Sequence, residues 1–149
     1  MINKYKFGFD FWSLLLFILM IIPTIFWSFI PAPNDILRAD SVTPAIDMIA
    51  TISQTIMIAS LCLFINKSTK KAKPSPFIIA TVICYLLYFS GWVIYYSGIV
   101  NPLIILDLTI PPCLAFLFCS IYKKNIISVI SSVIFLICHL IFAVVNFII

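Results

Sequence analysis

The chain alternates long oily runs with short polar breaks. Five runs stand out, at residues 11–30, about 45–65, 77–97, 102–122 and 126–148. A helix rises about 1.5 Å per residue, so about 20 apolar residues span the hydrocarbon of a bilayer. Each run meets that length. The expected fold is all-α: a polytopic integral membrane protein, a single bundle of five transmembrane helices forming one domain over residues 1–149. The breaks are a loop at 31–44, a lysine-rich loop at 66–76, and short turns at 98–101 and 123–125. None is polar enough or long enough to fold separately in water.

Composition strengthens this assignment. Hydrophobic residues make up 64% of the chain, charged residues only 9%, and the mean hydropathy is +1.23. A water-soluble domain needs more polar side chains than that to cover its outside. The few charges are partitioned. All five acids are aspartates, and eight of the nine basic residues form three clusters: Lys4 and Lys6, then Lys67, Lys70, Lys71 and Lys73, then Lys123 and Lys124. With the N-terminus in the cytoplasm, all eight fall inside and only Arg38 falls outside, the bias that sets topology. Five spans then leave the C-terminus outside. Trp12 and Tyr122 mark the inner boundary, and Trp27, Tyr95 and Tyr96 the outer one, where amphipathic rings settle. The net charge of +4 is a topology signal, and no nucleic-acid partner is expected. The Ile, Lys and Asn usage points to a bacterial inner membrane.

The first run resembles a signal peptide in following Lys4 and Lys6. It is too long, however, and "PAPND" after it offers no small-residue cleavage site, so an uncleaved anchor is expected. Cys62, Cys84, Cys113, Cys119 and Cys138 all lie inside the runs with no C-x-x-C spacing. They read as small hydrophobes, and neither a metal site nor a cofactor is expected. The absence of an internal repeat weighs against a transporter built from two inverted halves.

Polar residues inside the oily runs are the candidates for chemistry, because each is expensive there. The most unusual is Asp107 in "LDLTIPPCLAF". Asn101 as a cap and Pro102 as a first-turn proline put Asp107 about 8 Å below the outer end of the fourth helix. Pro111 and Pro112 cannot donate to the carbonyls of Asp107 and Leu108. A carboxylate, two freed carbonyls and the Thr109 hydroxyl suggest an oxygen-rich cation or proton site at a broken helix. The alternative is that the prolines merely bend the helix while Asp107 bonds a neighbour or Arg38.

Three other runs carry patterned polarity. Asp47, Thr51, Gln54, Thr55, Ile58 and Cys62 share one helical face, which is either interhelical glue or a cavity wall. Ser128, Ser131, Ser132, Phe135, Cys138, His139, Phe142 and Asn146 repeat the spacing. His139, the one histidine, is expected roughly level with Asp107, as a titrating partner or as a neutral ring bonded to a backbone carbonyl or a tyrosine. Tyr85, Tyr88, Trp92 and Tyr95, with Gly91 beside them, form a face suited to an apolar or cationic ligand, or to bulky packing with phenols bonded across helices. In the 31–44 loop, Ile36 and Leu37 accompany Asp35, Arg38 and Asp40, so the loop should fold down on the bundle.

Acids, amides and aromatics therefore crowd the outer half. This predicts an outward-opening polar crevice capped by the 31–44 loop, with Asp107, Thr109, Asp47, Arg38, His139, Trp92, Tyr95 and Asn101 as binding residues. No H-E-x-x-H or G-x-S-x-G motif is present, no catalytic residue is assigned, and the chain is not expected to be an enzyme. The expected function is binding of a cation, proton or small ligand, by a small carrier, channel subunit or sensor. The alternative is an accessory or immunity-type membrane protein that acts through helix contacts with a membrane-protein partner or as a homo-oligomer.

Overall fold

The computed structural model describes residues 4–67 and 75–149. Lys70, Lys71 and Lys73 of the basic loop lie outside the described residues. Five helices carry the fold: α1 (Phe11–Phe29), α2 (Pro44–Leu63), α3 (Pro76–Tyr96), α4 (Pro102–Tyr122) and α5 (Ile126–Phe147). All five are long and apolar enough to cross a membrane. Their starts follow local chemistry. Side chains of Asp10, Ser75, Asn101 and Asn125 accept from backbone N–H groups of the first turns of α1, α3, α4 and α5. Pro44, Pro76 and Pro102 open α2, α3 and α4, where a missing N–H costs nothing.

α4 continues through Pro111 and Pro112 over the whole of the expected fourth span, 102–122. The prolines remove the rungs to Asp107 and Leu108, but both rings are buried. The Thr109 hydroxyl also donates back to the Ile105 carbonyl at 2.7 Å. Packing thus holds the helical path where the ladder is interrupted.

One element has no counterpart in the sequence pattern. Tyr5–Phe7 (β1) and Phe64–Asn66 (β2) form an antiparallel ribbon, with Tyr5 opposite Asn66 and Phe7 opposite Phe64. The second oily run was expected to stay helical to residue 65. Instead α2 stops at Leu63 and the chain straightens into residues that suit a strand. Backbone bonds continue the pairing on both sides, from Gly8 N–H to Leu63 O at 3.0 Å, Asp10 N–H to Cys62 O at 2.8 Å, and Lys67 N–H to Lys4 O at 3.0 Å. The ribbon ties the start of α1 to the end of α2 and marks one end of the bundle, the ribbon end. The segment 30–43 marks the opposite, loop end.

α5 packs along α2 and α4, and α4 along α3, while α1 rests more lightly against α2 and α3. The helices thus follow one another around a ring in the order α1, α2, α5, α4, α3. At the ribbon end this ring is solid. Ser60, Ser120, Ser128 and Ser132 are buried there, with Ser120 Oγ 2.7 Å from Ser128 Oγ and Ser132 Oγ donating to Ser128 O at 2.7 Å. The buried Asn125 amide donates to Ser60 O at 2.8 Å and Phe64 O at 3.1 Å. Such small side chains let backbones approach closely. Beside them Lys123 pairs with Asp10, and Tyr5 Oη accepts from Ile126 N–H at 3.0 Å.

Candidate ligand-binding cavity

The loop-end half of the ring is hollow. A cavity of about 570 Å³ lies there, and all five helices contribute to its wall. The wall is mainly aromatic and aliphatic, with Phe17, Trp27, Tyr88, Trp92, Phe116, Phe135 and Phe142 on it. The polar side chains are few: Thr24 from α1, Asp47, Thr51 and Gln54 from α2, Thr109 from α4 and His139 from α5. Asp47, Thr51 and Gln54 arrive together because residues four and three apart share a helical face. Bulky rings at this level hold the helices apart, where serines at the ribbon end let them close.

The threonines have spent their hydroxyls. Thr51 Oγ1 donates to Asp47 O at 2.9 Å, Thr109 Oγ1 to Ile105 O, and Thr24 Oγ1 lies 3.2 Å from Tyr88 Oη. The others have capacity left. The Asp47 carboxylate accepts one long bond, from Thr43 Oγ1 at 3.4 Å, and among the described residues Gln54 and His139 make no side-chain hydrogen bond. The His139 ring is stacked between Phe135 and Phe142, with centroids 5.1 and 6.0 Å away, which fixes its plane. Asp47 lies within electrostatic reach of it. A carboxylate, an amide and an imidazole thus share an otherwise apolar chamber. The Trp92 indole N–H, in a residue 7% exposed, is buried and makes no well-formed bond. The Tyr88 hydroxyl is its neighbour but does not meet it in hydrogen-bond geometry.

A polar clamp roofs the chamber. Asp35 accepts from Tyr95 Oη at 2.7 Å, Trp27 Nε1 at 2.8 Å and Arg38 Nε at 3.0 Å. Arg38 Nη2 also donates to Trp27 O at 2.6 Å, and its guanidinium sits 4.9 Å above the Trp27 ring. Burial opposes the charge on Asp35, but the bonds from Tyr95, Trp27 and Arg38 outweigh it and hold the carboxyl below its usual range. Between these anchors the short 3-10 turn Ile36–Arg38 presses Ile36 and Leu37 onto the core, and Leu37 reaches the cavity. At the far edge Asn146 accepts from Val42 N–H at 2.7 Å and donates to Thr43 Oγ1 at 2.8 Å.

The tyrosine face of α3 also secures α1. Tyr85 Oη donates to Leu16 O, Tyr88 Oη meets Thr24, and Tyr96 Oη donates to Ile30 O at 2.6 Å. Those carbonyls and that hydroxyl follow one flank of α1 and the residue just beyond it, so α1 is stitched to α3.

Of the eight residues expected to bind, Asp47, Thr109, His139 and Trp92 line the cavity. Arg38 and Tyr95 belong to the roof. Asn101 caps α4, accepting from Ile104 N–H at 3.0 Å, and takes no part in the wall. Asp107 is not among the residues on the wall. Two residues along a helix is a turn of about 200°, so Asp107 and Thr109 leave α4 on nearly opposite sides. The carboxylate lies against Gly91 of α3, where an added Cβ would come within 2.5 Å of Oδ2. Asp107 makes no side-chain hydrogen bond among the described residues, and the oxygen-rich cluster of carboxylate, carbonyls and hydroxyl does not assemble. Gln54, Thr24 and Leu37 were not among the expected binding residues. Gln54 could have been found from its place on the Asp47 stripe. No protein family, curated protein or solved structure matches this chain. What the chamber can hold therefore rests on its own chemistry.

Proposed function

We propose that this is an integral membrane protein that binds a small, largely apolar molecule carrying one basic group in the loop-end cavity. One observation carries the reading: a chamber of about 570 Å³ has a single charged side chain, Asp47, whose carboxylate is left with one 3.4 Å bond. The volume suits a small organic ligand, since such pockets run from about 300 to 1,000 Å³. A carboxylate in apolar surroundings is stabilised by a cation brought against it, and aromatic faces favour organic cations over hydrated ones. Gln54 and His139 would orient the ligand's remaining polar atoms. In this reading the ribbon end is cytoplasmic, with Lys4, Lys6, Lys67, Lys123 and Lys124, and the loop end with Arg38 is outside.

The test is thermal unfolding of the reconstituted protein with phenylbutylamine and with its neutral analogue phenylbutanol. At about 100 times its Kd the amine should add about 2.7 kcal/mol of stability. The alcohol should add less, and Asp47→Asn should abolish the difference. Equal stabilisation by amine and alcohol, or none by either, would reject the reading. Co-purification of a stoichiometric membrane partner with an amine-indifferent chain would favour the accessory role instead.

A further inference from the structure

Of the cavity's lining residues only Thr24 and Thr51 are exposed, and they belong to α1 and α2. Lining residues from α3 and α4 are buried, and those from α5 are buried or half-buried. α1 is stitched to α3 by Tyr85 and Tyr88, whereas among the described residues no side-chain hydrogen bond joins α1 to α2. Their backbone ties, through Gly8 and Asp10, lie at the ribbon end. Thr24 is five residues from the end of α1 and Thr51 seven from the start of α2, so they sit about 8 and 10 Å below the loop end. Around them Ile22, Ile25, Met48 and Ile52 are exposed, which makes the surface beside Thr24 and Thr51 apolar. The roof above it is closed by Leu37 and held by the Asp35 clamp and Asn146.

We propose that the ligand reaches the cavity sideways from the bilayer, through a window between α1 and α2 beside Thr24 and Thr51, and is therefore a lipid-soluble amine. The inference rests on the binding function proposed above and adds the route and the ligand class. A hydrated ion would have to pass the clamped roof or shed its water in the hydrocarbon. An amphiphilic amine already dissolved in the leaflet meets the window at its own depth, with its charged end drawn to Asp47 and its apolar end against the aromatic wall.

The experiment uses bromophenylbutylamine as probe and the full chain in lipid vesicles. In the Trp12→Phe variant the two remaining tryptophans, Trp27 and Trp92, both line the cavity, so bromine quenching reports occupancy. Thr51→Phe plugs the window from α2 and Ile21→Phe plugs it from α1, while Thr55→Phe adds the same bulk one turn along α2, outside the cavity lining. Either plug should slow association about tenfold, and Thr55→Phe should behave as the parent. Asn146→Ala, which frees the far edge of the roof, should leave the association rate unchanged. Plugs without effect on the rate, or faster association in Asn146→Ala, would overturn the side route while leaving the binding function standing. If saturable quenching never occurs in the parent, the binding function itself fails and the inference falls with it.

Discussion

The two ends of this bundle are built from different side chains and have different interiors. At the ribbon end α2, α4 and α5 meet through Ser60, Ser120, Ser128, Ser132 and Asn125, all nearly or fully buried and all hydrogen-bonded. At the loop end the same three helices, joined by α1 and α3, meet through Phe116, Phe135, Phe142 and Trp92 and leave a chamber of about 570 Å³. Within a bilayer, helices gain little from hiding apolar surface from one another, so close packing and interhelical hydrogen bonds must hold them. The ribbon end supplies both. The loop end gives up close packing and relies on its polar roof and on the tyrosine stitches from α3. One end is the foundation and the other the candidate site.

The largest expected effect comes from making similar enlargements at the two ends of α5. Ser132 is fully enclosed beside Ser120 and Ser128, and Ala143, 2% exposed, lines the chamber. Ser132→Leu should cost about 3 kcal/mol or more, because a close-packed contact has nowhere to place the added carbons. Ala143→Leu should change stability by less than about 1 kcal/mol, since its new atoms enter open space. Thermal midpoints in the same lipid check the pair. Equal losses would mean that the chamber is as tightly packed as the serine contact, and the contrast between the ends would disappear.

The roof comes next in size. Asp35→Asn keeps the shape of the clamp but removes the charge that Tyr95, Trp27 and Arg38 bond to, and should cost about 2 kcal/mol at neutral pH. The pH dependence has a definite sign. The folded carboxyl titrates below its ordinary value of 3.8, so its contribution is complete above that value and is lost as pH falls through the lower folded value. The gap between the parent and Asp35→Asn should therefore be constant from pH 7 to about 5 and close on acidification below about 4. A gap that widens in acid would show that the carboxyl is held protonated in the fold.

Helix limits were nearly all legible in the chain, because apolar length, capping residues and first-turn prolines agree. The fourth run, 102–122, coincides with α4, and the others differ at their ends by a residue or two. The β1–β2 ribbon was not legible, since three-residue strands some sixty positions apart leave no periodic signal. Half of the candidate site was readable from spacing: the Asp47 stripe and the His139 face project into the same space. The Tyr85–Tyr95 stripe was visible as one face, but its division among stitch, wall and roof depends on where α1 and the 31–43 segment lie, which no local pattern encodes. At Asp107 chemistry and helical phase point different ways. An acid, two prolines and a threonine within six residues look like one site until the helical turn of about 200° between Asp107 and Thr109 separates them.

The smallest effect should therefore come from the residue that looked most conspicuous. Asp107 and Asp47 are both aspartates in helices that can span a membrane, but Asp47 faces the chamber and Asp107 lies against Gly91 on the α3 side of α4. Asp107 makes no side-chain hydrogen bond among the described residues, so its carboxylate does not hold the bundle together. Asp107→Asn should consequently shift stability by less than about 1 kcal/mol, in the stabilising direction if any. It should also leave amine binding within about twofold of the parent, while Asp47→Asn removes the preference for amine over alcohol. The two variants separate the roles because they make the same chemical change on different sides of the wall. If Asp107→Asn weakened amine binding as strongly as Asp47→Asn, the ligand would have to be reached from both faces of α4. The assignment of the site to the chamber alone would then be wrong.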